Sequence, residues 1–141
     1  LADVGAGSGI LSIAAALLGA SRVLALESDE LSCQVARENV AANGVGARVE
    51  VAHRLVQGDG PLPAAPYQGI VANLQRFLLL PLLSAFRESL TPGGWLIMSG
   101  ILLEEREEIV SAASREGLAL DGEDQEGEWW SGSFRLPSPG V

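Results

Sequence analysis

The feature that most constrains the fold is the run DVGAGSGI, residues 3–10. In it Gly5, Gly7 and Gly9 alternate between an apolar segment carrying an acid and a stretch rich in alanine and leucine. Glycine adopts backbone conformations closed to other residues and lets a ligand come close to the main chain. Glycines at this spacing predict a tight turn from the end of a strand, LADV, into a helix, GILSIAAALLGA, that stops at Gly19. The start of such a helix leaves N–H groups free to face the turn. Two other glycine loops do not fit. A dinucleotide loop needs G-x-G-x-x-G, and here the third glycine comes one position early. A phosphate-cradling P-loop needs Gly-Lys-Ser/Thr, which does not follow.

The rest of the chain alternates in the same way. RVLALE reads as a short strand ending in an acid. DELSCQVARENVAANG reads as a helix with Asp29 as N-cap and Gly44 as stop. ARVEVA alternates like a strand, and LVQGDGPLPAAPYQ reads as loop. GIVAN is a fourth strand. RFLLLPLLSAFRESL is helical, with a restart or kink near Pro81. TPGG is a turn, WLIMSG a fifth strand, and EEREEIVSAASREG an acid-fronted helix closed by Gly117. LALDGE and EWWSGSFRL are two last strands joined by a polar loop. This order predicts an α/β fold: a Rossmann-like, doubly wound, mostly parallel sheet of seven strands. The last two strands have no helix between them, so they form an antiparallel hairpin at the C-terminal edge. Ligands of such sheets bind beyond the carboxyl ends of the strands, where strand order reverses.

Charge and composition remove several classes of function. A net charge of −9 disfavours nucleic acid, which seeks a basic face, and suits a basic protein partner. Cys33 is the only cysteine and His53 the only histidine. An intrachain disulfide and a thiolate cluster are therefore excluded, most histidine-based metal and triad schemes are removed, and no metal site is expected. No apolar run reaches the length of a membrane span. ILSIAAALLGA lacks the basic front of a signal peptide, so a cytoplasmic protein without a membrane partner is expected. Cys33, Phe86 and Trp95 read as packing residues. Trp129 and Trp130 fall on opposite faces of the last strand, so one packs and the other points outward. Glu27 ends the second strand about eighteen residues beyond Gly9. It is either a solvated acid or an acceptor for ribose hydroxyls.

The glycine loop resembles the D-x-G-x-G-x-G loop of S-adenosylmethionine-dependent methyltransferases. Taken with ARENVAANGV, IVANLQRFLLLPLL, TPGGWLIMSGIL and EGEWW, the chain resembles the ribosomal protein methyltransferase family called PrmA over essentially its whole length. The resemblance implies the class I methyltransferase fold and S-adenosyl-L-methionine as cofactor. It also implies protein eleven of the large ribosomal subunit, a basic protein, as substrate. It puts Asp3, Gly5, Gly7 and Gly9 in the cofactor loop and Glu27 at the ribose, with Ser28 a further cofactor-binding residue; His53 and Arg54 either flank the adenine as cofactor-binding residues or are solvated loop residues. Asn73 falls where the cofactor sulfonium meets the substrate amine and is counted as both cofactor-binding and catalytic. The alternative for Asn73 is a strand-end residue that satisfies a turn. Several positions depart from the pattern: glutamate rather than aspartate at Glu27, AHRLV after the third strand, Gln68 in place of an acid, and QRF after Asn73-Leu74. They leave two rival functions open. One is a methyltransferase of the same fold for a small molecule or another protein; the other is a non-catalytic binding module. The chain begins only two residues before the run DVGAGSGI, so residues 1–141 are read as a methyltransferase domain and a fragment. In the resembled family a separate N-terminal domain recruits the ribosomal protein. The fragment alone is accordingly expected to bind cofactor weakly and methylate poorly.

Overall fold

The computed structural model describes residues 1–139; the last two residues of the expected 1–141 domain lie outside the described residues. The strands are β1 (Ala2–Val4), β2 (Val23–Glu27), β3 (Val49–His53), β4 (Tyr67–Asn73), β5 (Leu90–Leu102), β6 (Ala119–Glu126) and β7 (Trp129–Arg135). The helices are α1 (Ile10–Leu17), α2 (Glu30–Ala42), α3 (Arg76–Leu79), α4 (Leu83–Ser89) and α5 (Arg106–Arg115). The strands are laid out as the expected mixed sheet, β3-β2-β1 within one part of the chain and β4-β5-β7-β6, ending in an antiparallel hairpin, within the other. Two compact units divide the chain, Leu1–Val56 and the residues from Gln57 onward. No helix among the described residues is long and apolar enough to cross a membrane.

In the first unit β1, β2 and β3 run parallel, with Val4 opposite Leu26 and Glu27 opposite His53. Both helices turn short apolar residues inward. Ile13 and Ala16 of α1 and Val40 of α2 pack with Val23, Val45 and Val49 in one core cluster. Each fully buried valine or isoleucine side chain contributes about 1.5–3 kcal/mol. Asp29 caps α2 as expected, its carboxylate accepting from the Ser32 N–H at 2.8 Å. Arg48 donates to the Ala16 carbonyl at 2.7 Å, placing a cation at the C-terminal end of α1, where the helix dipole favours one. Cys33 is fully buried, as a packing residue should be.

In the second unit β4 and β5 are parallel, with Asn73 opposite Ser99. β7 runs antiparallel to β5, with Trp129 opposite Leu102, and pairs on its other side with β6. The apolar segment before β5 breaks at Pro81 into α3, a single 3-10 turn (Leu80–Leu82) and α4. Proline supplies no N–H to a continuing helix, so the restart is the expected outcome. The TPGG turn is not a separate element: β5 already begins at Leu90 and runs through it. The Gly93 N–H bonds to the Leu136 carbonyl and the Leu136 N–H to the Gly94 carbonyl, so these glycines join the sheet edge. Trp95 packs against Gly69, where a Cβ would fall 2.2 Å from the indole. Phe134 and Trp130 are both buried and meet edge to face at 6.4 Å, worth about 0.5–1.5 kcal/mol beyond their area.

Candidate cofactor and substrate site

The glycine loop leaves β1 and enters α1 with Gly5, Gly7 and Gly9 all at positive φ. Each end of the loop is fastened within the first unit. The N–H groups of Gly5 and Ala6 both bond to the Leu26 carbonyl, at 2.9 and 3.1 Å. Asn39 of α2 donates to the Ser8 carbonyl at 2.9 Å. At Gly9 a Cβ would lie 3.3 Å from the Cβ of Ala36, so this glycine allows α1 to start tight against α2. At Gly7 the same construction meets nothing within 4 Å. That space beside bare backbone is what a ligand of the loop requires.

Glu27 closes the loop. Its Oε1 accepts from the Gly7 N–H at 2.8 Å and its Oε2 from the Asp29 N–H at 2.9 Å. A carboxylate has about four acceptor positions, so two remain for the hydroxyls of a sugar. Ser28 and His53 are tied together: the His53 Nε2–H donates to the Ser28 carbonyl at 2.9 Å. The Arg54 N–H donates to the Glu27 carbonyl at 2.8 Å, so the exit of β3 is held against the exit of β2. Glu27, Ser28, His53 and Arg54 therefore meet at the carboxyl ends of neighbouring strands, beside the loop. The space at Gly7, the pre-positioned Glu27 carboxylate and the two strand ends fit a nucleoside-bearing cofactor.

Asp3 has a different place from the glycines. It is buried, with its Oδ2 accepting from the Ser12 hydroxyl at 2.7 Å. Burial pushes its carboxyl above the ordinary aspartate range, against the opposing hydrogen bonds from Ser12. From there it braces the loop across the first turn of α1.

Asn73 ends β4 in the second unit, and its surroundings were not foreseen from sequence. It lines an open depression of about 400 Å³ with Leu74, Arg76, Gly100, Leu102 and Trp129. Gly100, at φ +81°, makes room for it: a Cβ there would fall 2.6 Å from the Asn73 Oδ1. The Leu74 N–H bonds to the Ser99 carbonyl at 3.1 Å, extending the β4–β5 pairing past Asn73. The QRF segment that departs from the family pattern is anchored. Arg76 donates to Glu108 at 2.6 Å and lies 3.2 Å from Glu105. Glu105 in turn accepts from the Leu102 N–H at 3.0 Å. Arg76 and Gly100 carried no signal by spacing, because their partners are distant in sequence. Among the described residues no group of acids, histidines and cysteines is arranged to hold a metal.

Comparison with known proteins places the chain. Residues 1–136 match the family model described as "Ribosomal protein L11 methyltransferase (PrmA)". A protein of Gloeobacter violaceus named ribosomal protein L11 methyltransferase is 38% identical over 128 residues. That match covers 91% of this chain and 39% of the relative, so the chain spans about two fifths of that relative's length. The crystal structure of a ribosomal protein L11 methylase from Lactobacillus delbrueckii subsp. bulgaricus superposes with a TM-score of 0.89 at 32% identity, covering 96% of this chain and 69% of that one. A SAM-dependent methyltransferase from Aquifex aeolicus shares the fold, with a TM-score of 0.77 at 19% identity over 96% of this chain and 80% of that one. A match over nearly every described residue, glycine loop and Asn73 included, means that this chain belongs to the ribosomal protein L11 methyltransferase (PrmA) family.

Proposed function

We propose that the protein carrying this chain transfers methyl groups from S-adenosyl-L-methionine to amino groups of a large-subunit ribosomal protein, in the cytoplasm. The observation that carries this reading is the family match over residues 1–136, which contains every candidate site residue. The cofactor supplies a methyl already activated on a sulfonium, so the chain's own task is binding, alignment and exclusion of water. In this reading the Gly5–Gly9 loop takes the cofactor against its backbone. Glu27 and Ser28 hold the ribose, and His53 and Arg54 flank the adenine. Asp3 braces the loop through Ser12. The Asn73 side chain accepts a hydrogen of the incoming amine and sets its lone pair in line. The amine arrives deprotonated, which removes the need for a general base within the chain.

The test is methyl transfer from labelled cofactor to purified large-subunit ribosomal proteins, with the Asn73→Ala variant beside the parent. One labelled protein is expected. Asn73→Ala should lower kcat at least tenfold while cofactor affinity changes less than about twofold, the mark of an interaction made mainly in the transition state. Label entering only small molecules would favour another methyltransferase of this fold. Cofactor binding without any transfer would favour a binding module.

A further inference from the structure

Next to the Asn73 depression the second unit has another, of about 410 Å³, lined by Asn73, Ser99, Gly100, Asp124, Glu126 and Trp129 among others. The edge hairpin builds its outer wall. Glu126 pairs with Trp129 across the strands and Asp124 with Ser131, and the two acids, two residues apart, share one face of β6. Trp130 is buried, but Trp129 leaves 52% of its surface in solvent.

The nearby acids fall into two groups. Arg106 holds Glu107 and Glu123, Arg135 holds Asp121, and Arg76 holds Glu105 and Glu108. The side chains of Asp124 and Glu126 have no hydrogen bond or ion pair among the described residues, and the chain has no lysine to offer them. The cleft thus sets two uncompensated carboxylates beside an open indole face and against Asn73. A cation placed there meets both carboxylates and the negative face of the ring. Residues 57–141 carry twelve acids and five arginines, a net charge of −7 that favours a cationic partner.

We propose that this cleft docks a lysine side chain of the protein substrate, neighbouring the amine to be methylated, with its ammonium between Asp124, Glu126 and Trp129. The proposal rests on the protein-amine reading above, and adds the residues of the chain that read the substrate's charge.

The probe is an acetylated nonapeptide containing three lysines, with a counterpart in which glutamines replace them. Binding is followed by tryptophan fluorescence and by calorimetry without cofactor, so it does not depend on turnover. The lysine peptide should bind the parent and quench Trp129, an effect lost in Trp129→Phe. The pair Asp124→Asn with Glu126→Gln preserves size at exposed positions and should weaken binding at least tenfold. A control pair of equal charge change elsewhere in the same unit, Asp59→Asn with Glu88→Gln, should leave it within twofold. In the transfer assay the cleft pair should raise KM and leave kcat unchanged. Equal binding by the cleft pair, equal loss in the control pair, or equal binding of the glutamine peptide would overturn the proposal. Peptide binding as expected with no methyl transfer to any protein would overturn the enzymatic reading and leave the docking cleft standing.

Discussion

Glu27 shows how one carboxylate can serve both the fold and a ligand. Its two oxygens already accept from the Gly7 and Asp29 N–H groups, so the side chain that would hold the ribose also fixes the loop that would hold the rest of the cofactor. Glu27→Gln separates charge from shape. Glutamine keeps the length but replaces one acceptor oxygen by an NH₂ group, which cannot receive an N–H bond. One of the two backbone amides then loses its partner, together with part of the acceptor capacity left for a ligand. Cofactor affinity in Glu27→Gln should fall by roughly 1–3 kcal/mol, the scale for hydrogen bonds to a charged group. Isothermal calorimetry on parent and variant measures this directly. An unchanged affinity would leave Glu27 as a brace of the loop only.

At the scale of elements, the edge hairpin is held by one ionic cluster. Arg106 at the start of α5 donates to both carboxylate oxygens of Glu123, at 2.7 and 2.9 Å, and lies over the Trp130 ring at 5.8 Å. The Trp130 indole donates to the same glutamate at 3.0 Å. Bonds from Arg106 first, and from Trp130 second, hold the Glu123 carboxyl down at about 2, from an ordinary 4.5. A depressed carboxyl stabilises the fold above its unfolded value and loses that contribution as pH falls through the folded one. The stability gap between the parent and Glu123→Gln should therefore hold at neutral pH and close between pH 4.5 and about 2, as followed by urea unfolding with Trp130 fluorescence. Solvent exposure makes the gap small. The hairpin also shows what sequence can disclose. Period-two alternation separated Trp129 from Trp130, and glycine spacing located the loop, because both signals are local. Arg76 read as a departure from the family pattern, since its partners Glu105 and Glu108 lie about thirty residues on. Gly100 read as the end of a strand, since the Asn73 side chain it makes room for belongs to the neighbouring strand. β5 running through TPGG was equally hidden, because its hydrogen bonds go to Leu136.

At the scale of the whole molecule, charge is divided unevenly along the chain. Residues 1–56 carry six acids and four arginines, a net −2, whereas residues 57–141 carry a net −7. The proposed cofactor residues lie in the first segment and the proposed docking cleft in the second, so salt should act on the two binding events differently. Screening shortens the reach of exposed charges from about 10 Å at 0.1 M ionic strength to about 3 Å at 1 M. A basic protein substrate drawn by many exposed carboxylates loses most of that attraction. A cofactor held by hydrogen bonds from a fixed loop and one partly buried carboxylate loses little. Raising salt from about 0.1 M to about 1 M should therefore raise KM for the protein substrate at least tenfold, chiefly through slower association. Over the same range the cofactor dissociation constant should change less than about twofold. Steady-state kinetics with the protein substrate varied, alongside calorimetric titration of the cofactor at each salt concentration, gives both numbers. A salt-independent KM would mean that the acids from Gln57 onward take no part in substrate capture. A parallel weakening of both events would mean that salt acts on the fold rather than on either site.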